Sequence, residues 1–180
     1  MHAYQNGQLI ANSKDEVAKL ASIVARKLHG RDYKPNPRCL SQIYPQYMLD
    51  NHDRSKLADR VKTQMKRIET YNDYQLDDEF LSIARGLVTY GASFFDVDVF
   101  TKKSMGTGQA LVGMNDHGLH IIFKKTWMVK NFRFDEFTAI HRDSKTIEID
   151  AQRSRDTYLV LVSTQMKFLK GILQKLQHSS

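Results

Sequence analysis

The hydrophobic period of this chain changes once, near Gly91, and that change limits the fold more than any other feature. Before it, apolar residues recur every three to four positions. From Phe95 onward the order is Phe, Asp, Val, Asp, Val, Phe, a period of two. Side chains share a face every third or fourth residue in a helix but every second residue in a strand, so one element cannot serve both patterns. The stretch YGASFFDVDVF (Tyr90 to Phe100) therefore marks the handover from a helical unit to a strand-rich one, with the small residues Gly91 and Ala92 at the joint. Almost no linker lies between them, so two docked units are expected, over residues 1–91 and 92–180.

Three helices are legible before the joint. Ser13 with Glu16 three residues on is a capping-box pair; Val17, Leu20, Val24 and Leu28 then share a face, and Gly30 stops the run. Leu57, Val61, Met65 and Ile68 mark a helix over about Ser55 to Glu69, and Phe80, Ile83, Ala84 and Leu87 mark one over about Leu76 to Val88. All three prolines, Pro35, Pro37 and Pro45, fall in a crossing segment that admits only short helical turns. Helices with one apolar stripe each must pack on one another, which gives a small bundle.

Beyond the joint, FDVDVF, QALVGM, LHIIFKK, VKNFRF, FTAIHR, TIEIDAQ and DTYLVLVS read as strands. NDHG (Asn115 to Gly118) has the composition of a tight hairpin turn; RDSK and QRSRD are further turns. The chain closes with a helix whose stripe is Met166, Leu169, Ile172, Leu173 and Leu176. Seven strands and one helix fit a small antiparallel sandwich that covers its apolar face with the helix, so the fold class is α+β.

Composition narrows the function classes. A hydrophobic share of 41% supplies a core, and no run of eighteen apolar residues suggests a membrane span. The N-terminus lacks the basic-then-apolar layout of a signal peptide, and Cys39, the single cysteine, cannot form an internal disulfide; a cytoplasmic setting is expected. The net charge of +7 is spread over both halves, with 14 basic and 11 acidic residues in 1–92 and 13 and 9 in 93–180, so there is no basic arm. Without aromatic interleaving among the basic residues, nucleic acid is not an expected partner.

Signals for catalysis are poor. His117 and His120 straddle a turn and a strand and lack a third ligand. Asp96 and Asp98 read as the wet side of a sheet, and Cys39 has no base nearby in sequence. MGTGQALVG lacks the Lys-Ser ending and the following helix of a phosphate loop. Trp127 and Met128, between two strands, are expected to pack in the core. No enzyme activity, cofactor or metal is expected.

FLSIARGLVTYGASFFDVDVF, behind a helical bundle and ahead of seven strands with a closing helix, resembles the junction of the second and third lobes of a FERM domain, closest to the talin-like branch. IYPQYML (Ile43 to Leu49) and ALVGMNDHGLHII are similar to further family segments in the right order. The resemblance implies an acyl-CoA-binding-protein-like helical lobe and a PH/PTB-like seven-stranded sandwich capped by a C-terminal helix. The ubiquitin-like first lobe of a full FERM domain is not in this sequence, so the chain reads as a fragment, monomeric as such.

The resemblance also implies a role: a non-catalytic adaptor that joins a receptor cytoplasmic tail and anionic inner-leaflet lipid to the actin cytoskeleton. It would sit peripherally at the inner face of the plasma membrane. The alternative is a cargo-binding or regulatory FERM module of an unconventional myosin, tyrosine kinase or phosphatase. The tail would add a strand to the edge formed by Phe137, Thr138, Ala139, Ile140, His141 and Arg142, beside Phe168, Leu169 and Ile172 of the last helix. Where talin-like members carry an Arg-Trp pair this sequence has Ala139 and Ile140, which removes an aromatic wall and a charge from Asn-Pro-x-Tyr recognition. For lipid, the implied contacts are Lys102, Lys103 and Met105 in the first strand-to-strand loop and the helical bases Lys56, Arg60, Lys62, Lys66 and Arg67, each cation near an anionic leaflet contributing about 1 kcal/mol.

Overall fold

The computed structural model describes residues 1–11, 13–101, 108–151 and 158–179. The chain divides into two compact units, Met1–Tyr90 and Gly91–Ser180.

The first unit is helical. Helices α1 (His2–Gln5), α2 (Lys14–His29), α3 (Gln46–Asn51), α4 (Arg54–Arg67) and α5 (Asp73–Arg85) are joined by loops and one 3-10 turn at Leu40–Gln42. The capping box at α2 is formed in full: the Glu16 N–H donates to Ser13 Oγ at 3.2 Å and the Ser13 N–H donates to Glu16 Oε2 at 3.2 Å. Gly30 ends the helix at φ +82°, a conformation glycine adopts without a Cβ penalty.

Helix α5 starts three residues before the expected Leu76 because Asn72 and Gln75 build a second capping box, and it stops at Arg85 ahead of Gly86. The short α1 has no periodic signal in the sequence. Tyr4 fixes it, with an edge-on contact to Phe80 and a hydroxyl that donates to the Val17 carbonyl at 3.1 Å.

The core of this unit gathers Leu20, Ile23, Val24, Leu57, Val61 and Leu76, all within 2% of full burial. One residue of the expected α2 stripe departs from it: Leu28 is 53% exposed, while Ile23 is buried. Burying side chains of this size contributes about 1.5–3 kcal/mol each.

The second unit is one seven-stranded antiparallel sheet in the order β4-β3-β2-β1-β7-β6-β5. Its strands are β1 (Ser93–Thr101), β2 (Gly108–Asn115), β3 (Gly118–Phe123), β4 (Val129–Phe132), β5 (Phe137–His141), β6 (Thr146–Ala151) and β7 (Tyr158–Val162), and helix α6 (Met166–Ser179) follows. Strand β1 pairs with β2 over Ser93 to Val99 but with β7 only over Asp98 to Thr101, so the sheet continues through its far end. Val97, Val112, Ile121, Ile149 and Leu161 from both halves share one core with Met166, Leu169 and Leu173 of α6. The helix thus covers the apolar face that the sheet cannot cover alone.

The β2–β3 hairpin turns through Asp116 and His117, with Asn115 opposite Gly118. Asn115 Oδ1 accepts the His117 N–H at 2.9 Å, which ties the turn to its own first residue. At the next tip, the packing expected of Met128 is not found: it is 50% exposed, beside Trp127 at φ +53°.

Candidate functional site

Strands β4 and β5 are the two ends of the sheet, and β5 is the one on which the sequence places the binding edge. β5 pairs with β6 alone: Phe137 opposes Ala151, Ala139 opposes Ile149, and His141 opposes Ile147. The Arg142 N–H donates to the Thr146 carbonyl at 3.3 Å, which makes that pair a hydrogen-bonded one. Antiparallel pairs alternate, so Thr138, Ile140 and Arg142 direct their backbone groups at β6, and Phe137, Ala139 and His141 direct theirs outward. The outward row has no backbone partner among the described residues. It is a template for one more strand.

Side chains alternate across the same edge. Phe137 is buried in the core and Ala139 packs partly against it, whereas Thr138 is exposed and Ile140 is 39% exposed on the other face. Arg142 pairs with Glu148 of β6, Nη2 to Oε2 at 2.7 Å, and so holds the last residue of the edge in register.

At the turn that follows, Asp143 Oδ1 accepts the Lys145 N–H at 2.7 Å, and this bond is the first cause holding the Asp143 carboxyl below its ordinary value. Lys170 of α6 donates its ammonium to the Asp143 carbonyl. Partial burial first, and then the Lys170 charge, push the His141 imidazole below its ordinary value, so it is neutral at pH 7.

The three α6 residues expected beside β5 differ in exposure. Leu169 is fully buried in the core and offers nothing to a ligand. Phe168 and Ile172 stand two residues to either side of Lys170, roughly 160° round the helix, so they do not share the flank that reaches the β5–β6 turn. Phe168 is 69% exposed. The helix residue that borders the edge is Lys170, which the apolar stripe of α6 could not reveal because it lies outside that stripe.

Among the described residues, the bases expected to meet lipid divide between two flanks of α4. Lys102, Lys103 and Met105 lie outside the described residues. On α4, Lys56, Arg60 and Arg67 fall within about 40° of one another, and Lys62 and Lys66 lie roughly 100° away, at the wall of a separate cleft. Arg60 is paired with Asp15 of α2, and Lys62 with Asp59 at 3.4 Å, which lowers the free charge on each flank. Spacing in sequence gives the number of bases but not the carboxylates that neighbouring helices bring to them.

Elsewhere, Asp96 and Asp98 are exposed, as alternation implies, and Asp96 pairs with Lys124. His120 is fully buried, with Nε2 2.9 Å from Asn115 Oδ1 and Nδ1 2.9 Å from Asn131 Oδ1. Burial is the main cause that lowers its basicity. Asn115 Oδ1 already accepts the His117 N–H, so it is fixed as an acceptor and Nε2 carries the proton. Neutral His120 then accepts at Nδ1, with the Asn131 amide turned to donate. This polar cluster is a structural clasp between β2, β3 and β4. Among the described residues no group of three His, Cys, Asp or Glu converges as a metal site, and no helix is long and apolar enough to cross a membrane.

No curated protein sequence matches the chain. Among solved structures it is similar in fold to the C-terminal MyTH4-FERM domain of human Myosin 7b in complex with the harmonin-a PDZ3 domain, at TM-score 0.72 and 15% identity, over 99% of this chain and 36% of that one. It is also similar to a mutant of the Dictyostelium Discoideum Myosin VII MyTH4-FERM MF2 domain, at TM-score 0.68 and 14% identity, over 99% of this chain and 37% of that one. The chain thus spans about a third of the length of the structures it resembles. The family model for the FERM central domain matches residues 1–95, and the one for the KRIT1/FRMD8 FERM domain C-lobe matches residues 108–172. With its α+β architecture, helical unit and PH/PTB-like sheet with closing helix, the chain belongs to the FERM family.

Proposed function

We propose that this FERM chain is a non-catalytic adaptor that captures an extended cytoplasmic tail segment on β5. The observation that carries the reading is the outward backbone row of Phe137, Ala139 and His141 on an edge strand paired only to β6. An added strand would gain affinity from main-chain hydrogen bonds, each contributing about 0.5–1.5 kcal/mol net. Choice among tails would come from Thr138 and Ile140 on one face and from His141 with Lys170 on the other. Small Ala139 leaves room at the middle of the edge, and the exposed Phe168 and the half-buried Ile172 meet only a tail long enough to pass round α6.

On this reading the parent protein holds the tail at the inner face of the plasma membrane, against anionic lipid, and its remaining segments reach the actin cytoskeleton. That wider role rests on the talin-like wording of the Tyr90 to Phe100 junction. The experiment is a titration of isotope-labelled protein with synthetic receptor-tail peptides. Shifts confined to amides of residues 137–142 and of α6 are expected; shifts that spare 137–142 for every tail at millimolar peptide overturn the reading.

A further inference from the structure

The first unit carries a cleft of about 980 Å³ between α2, α4 and the proline-rich crossing segment, and the tail-binding reading makes no use of it. Its walls combine two chemistries. The apolar part is made by buried Pro35, the partly buried Pro37 and Met65, and the ring of Tyr33, which stacks on His29 at 4.4 Å. The charged part holds five cations against the carboxylates of Asp59 and Glu69. Lys62 is spent on Asp59, and Arg26 donates Nη2 to the Glu69 and Tyr71 carbonyls at 3.1 and 3.4 Å. Arg31, Lys34 and Lys66 have no ion-pair partner among the described residues, although all three are at the cleft.

One atom of the lining lacks a partner it should have. The Tyr33 hydroxyl is out of contact with solvent and makes no hydrogen bond. A buried hydroxyl left alone costs about 1–3 kcal/mol, so such groups are normally satisfied by protein, water or ligand. Burial raises its pKa, so it is an O–H donor at neutral pH.

We propose that this cleft binds an acidic peptide segment carrying an apolar anchor side chain. Carboxylates on either side of the anchor would meet Arg31, Lys34 and Lys66, the anchor would cover Met65 and the prolines, and a peptide carbonyl or carboxylate would accept from Tyr33 once the half-buried ring turns its hydroxyl into the cleft. A compact phosphate would satisfy the cations but leave the apolar wall wet, and a flat bilayer cannot place an acyl chain and headgroups into one concave site without distortion. The peptide is the ligand that uses both chemistries.

The test is fluorescence anisotropy on the full chain with a labelled acidic peptide centred on phenylalanine. Its companions are the same peptide centred on serine, inositol hexakisphosphate as competitor, and phosphoinositide vesicles. Saturable binding is expected, weaker for the serine peptide. The double variant R31E/K34E, with both positions exposed, should weaken it about tenfold or more, and K66E should do so in the same direction. Tyr33→Phe should weaken it several-fold, and Ala139→Pro should leave it unchanged, which separates this site from the β5 edge. The inference is overturned by any of three results: no saturation at millimolar peptide; equal affinity in folded R31E/K34E; or equal affinity for both peptides with full displacement by the hexakisphosphate. Binding of the vesicles without binding of the peptide also overturns it.

Discussion

His120 Nε2 lies 2.9 Å from Asn115 Oδ1, inside a strand that exposes none of the ring to water. With the Asn131 amide turned the other way, two amide oxygens would suit a doubly protonated imidazole, yet burial favours the neutral form, and burial is the larger effect.

The consequence is an acid-sensitive clasp. A histidine whose folded pKa lies below its unfolded value of 6.5 stabilises the fold above that value, and the contribution is lost as pH falls through the lowered folded pKa. Chemical denaturation should therefore show lower stability at pH 5 than at pH 7. The loss should be smaller in His120→Gln, and His141→Gln should trim it less, since His141 is exposed.

Gly118 is the tightest of the described glycines in the second unit. A Cβ there would lie 2.1 Å from the Phe132 carbonyl oxygen, at φ +133°. Backbone on one side and strain on the other leave no cheap relief, so Gly118→Ala should cost about 3 kcal/mol or more by thermal or urea unfolding. Gly113→Ala should cost less, because its Cβ would meet only the rim of the Phe94 ring, which can rotate.

Tyr33→Phe removes a hydroxyl that has no partner. Deleting an unsatisfied polar atom leaves no donor stranded, so stability should stay within about 0.5 kcal/mol of the parent or rise. Differential scanning calorimetry checks this, and a loss of more than about 1.5 kcal/mol would reveal a bond to structural water at that site.

The sequence made some parts of this fold plain and hid others for physical reasons. The change of period near Gly91, the Ser13–Glu16 box and the NDHG turn are local signals, and each is realised where it is written. Leu28 departs from its stripe because position on a helix face does not say how far a neighbour extends over it. The α4 bases looked like a patch because the pairing of Arg60 with Asp15 joins residues 45 apart in sequence. Which backbone groups of β5 face outward required the register against β6, which no composition encodes. The same is true of Lys170, whose place beside the edge depends on how α6 lies on the sheet.

That register yields the sharpest check on the account. Ala139→Pro removes an outward N–H and leaves the β5–β6 ladder whole, so it should cost about 1 kcal/mol or less. Ile140→Pro removes an N–H aimed at β6 and should cost about 3 kcal/mol. Tail-peptide affinity of Ala139→Pro, measured by calorimetry at a temperature where the variant is folded, is the most direct measurement. Loss of binding with the fold retained is the predicted result; an unchanged affinity would contradict strand addition on β5.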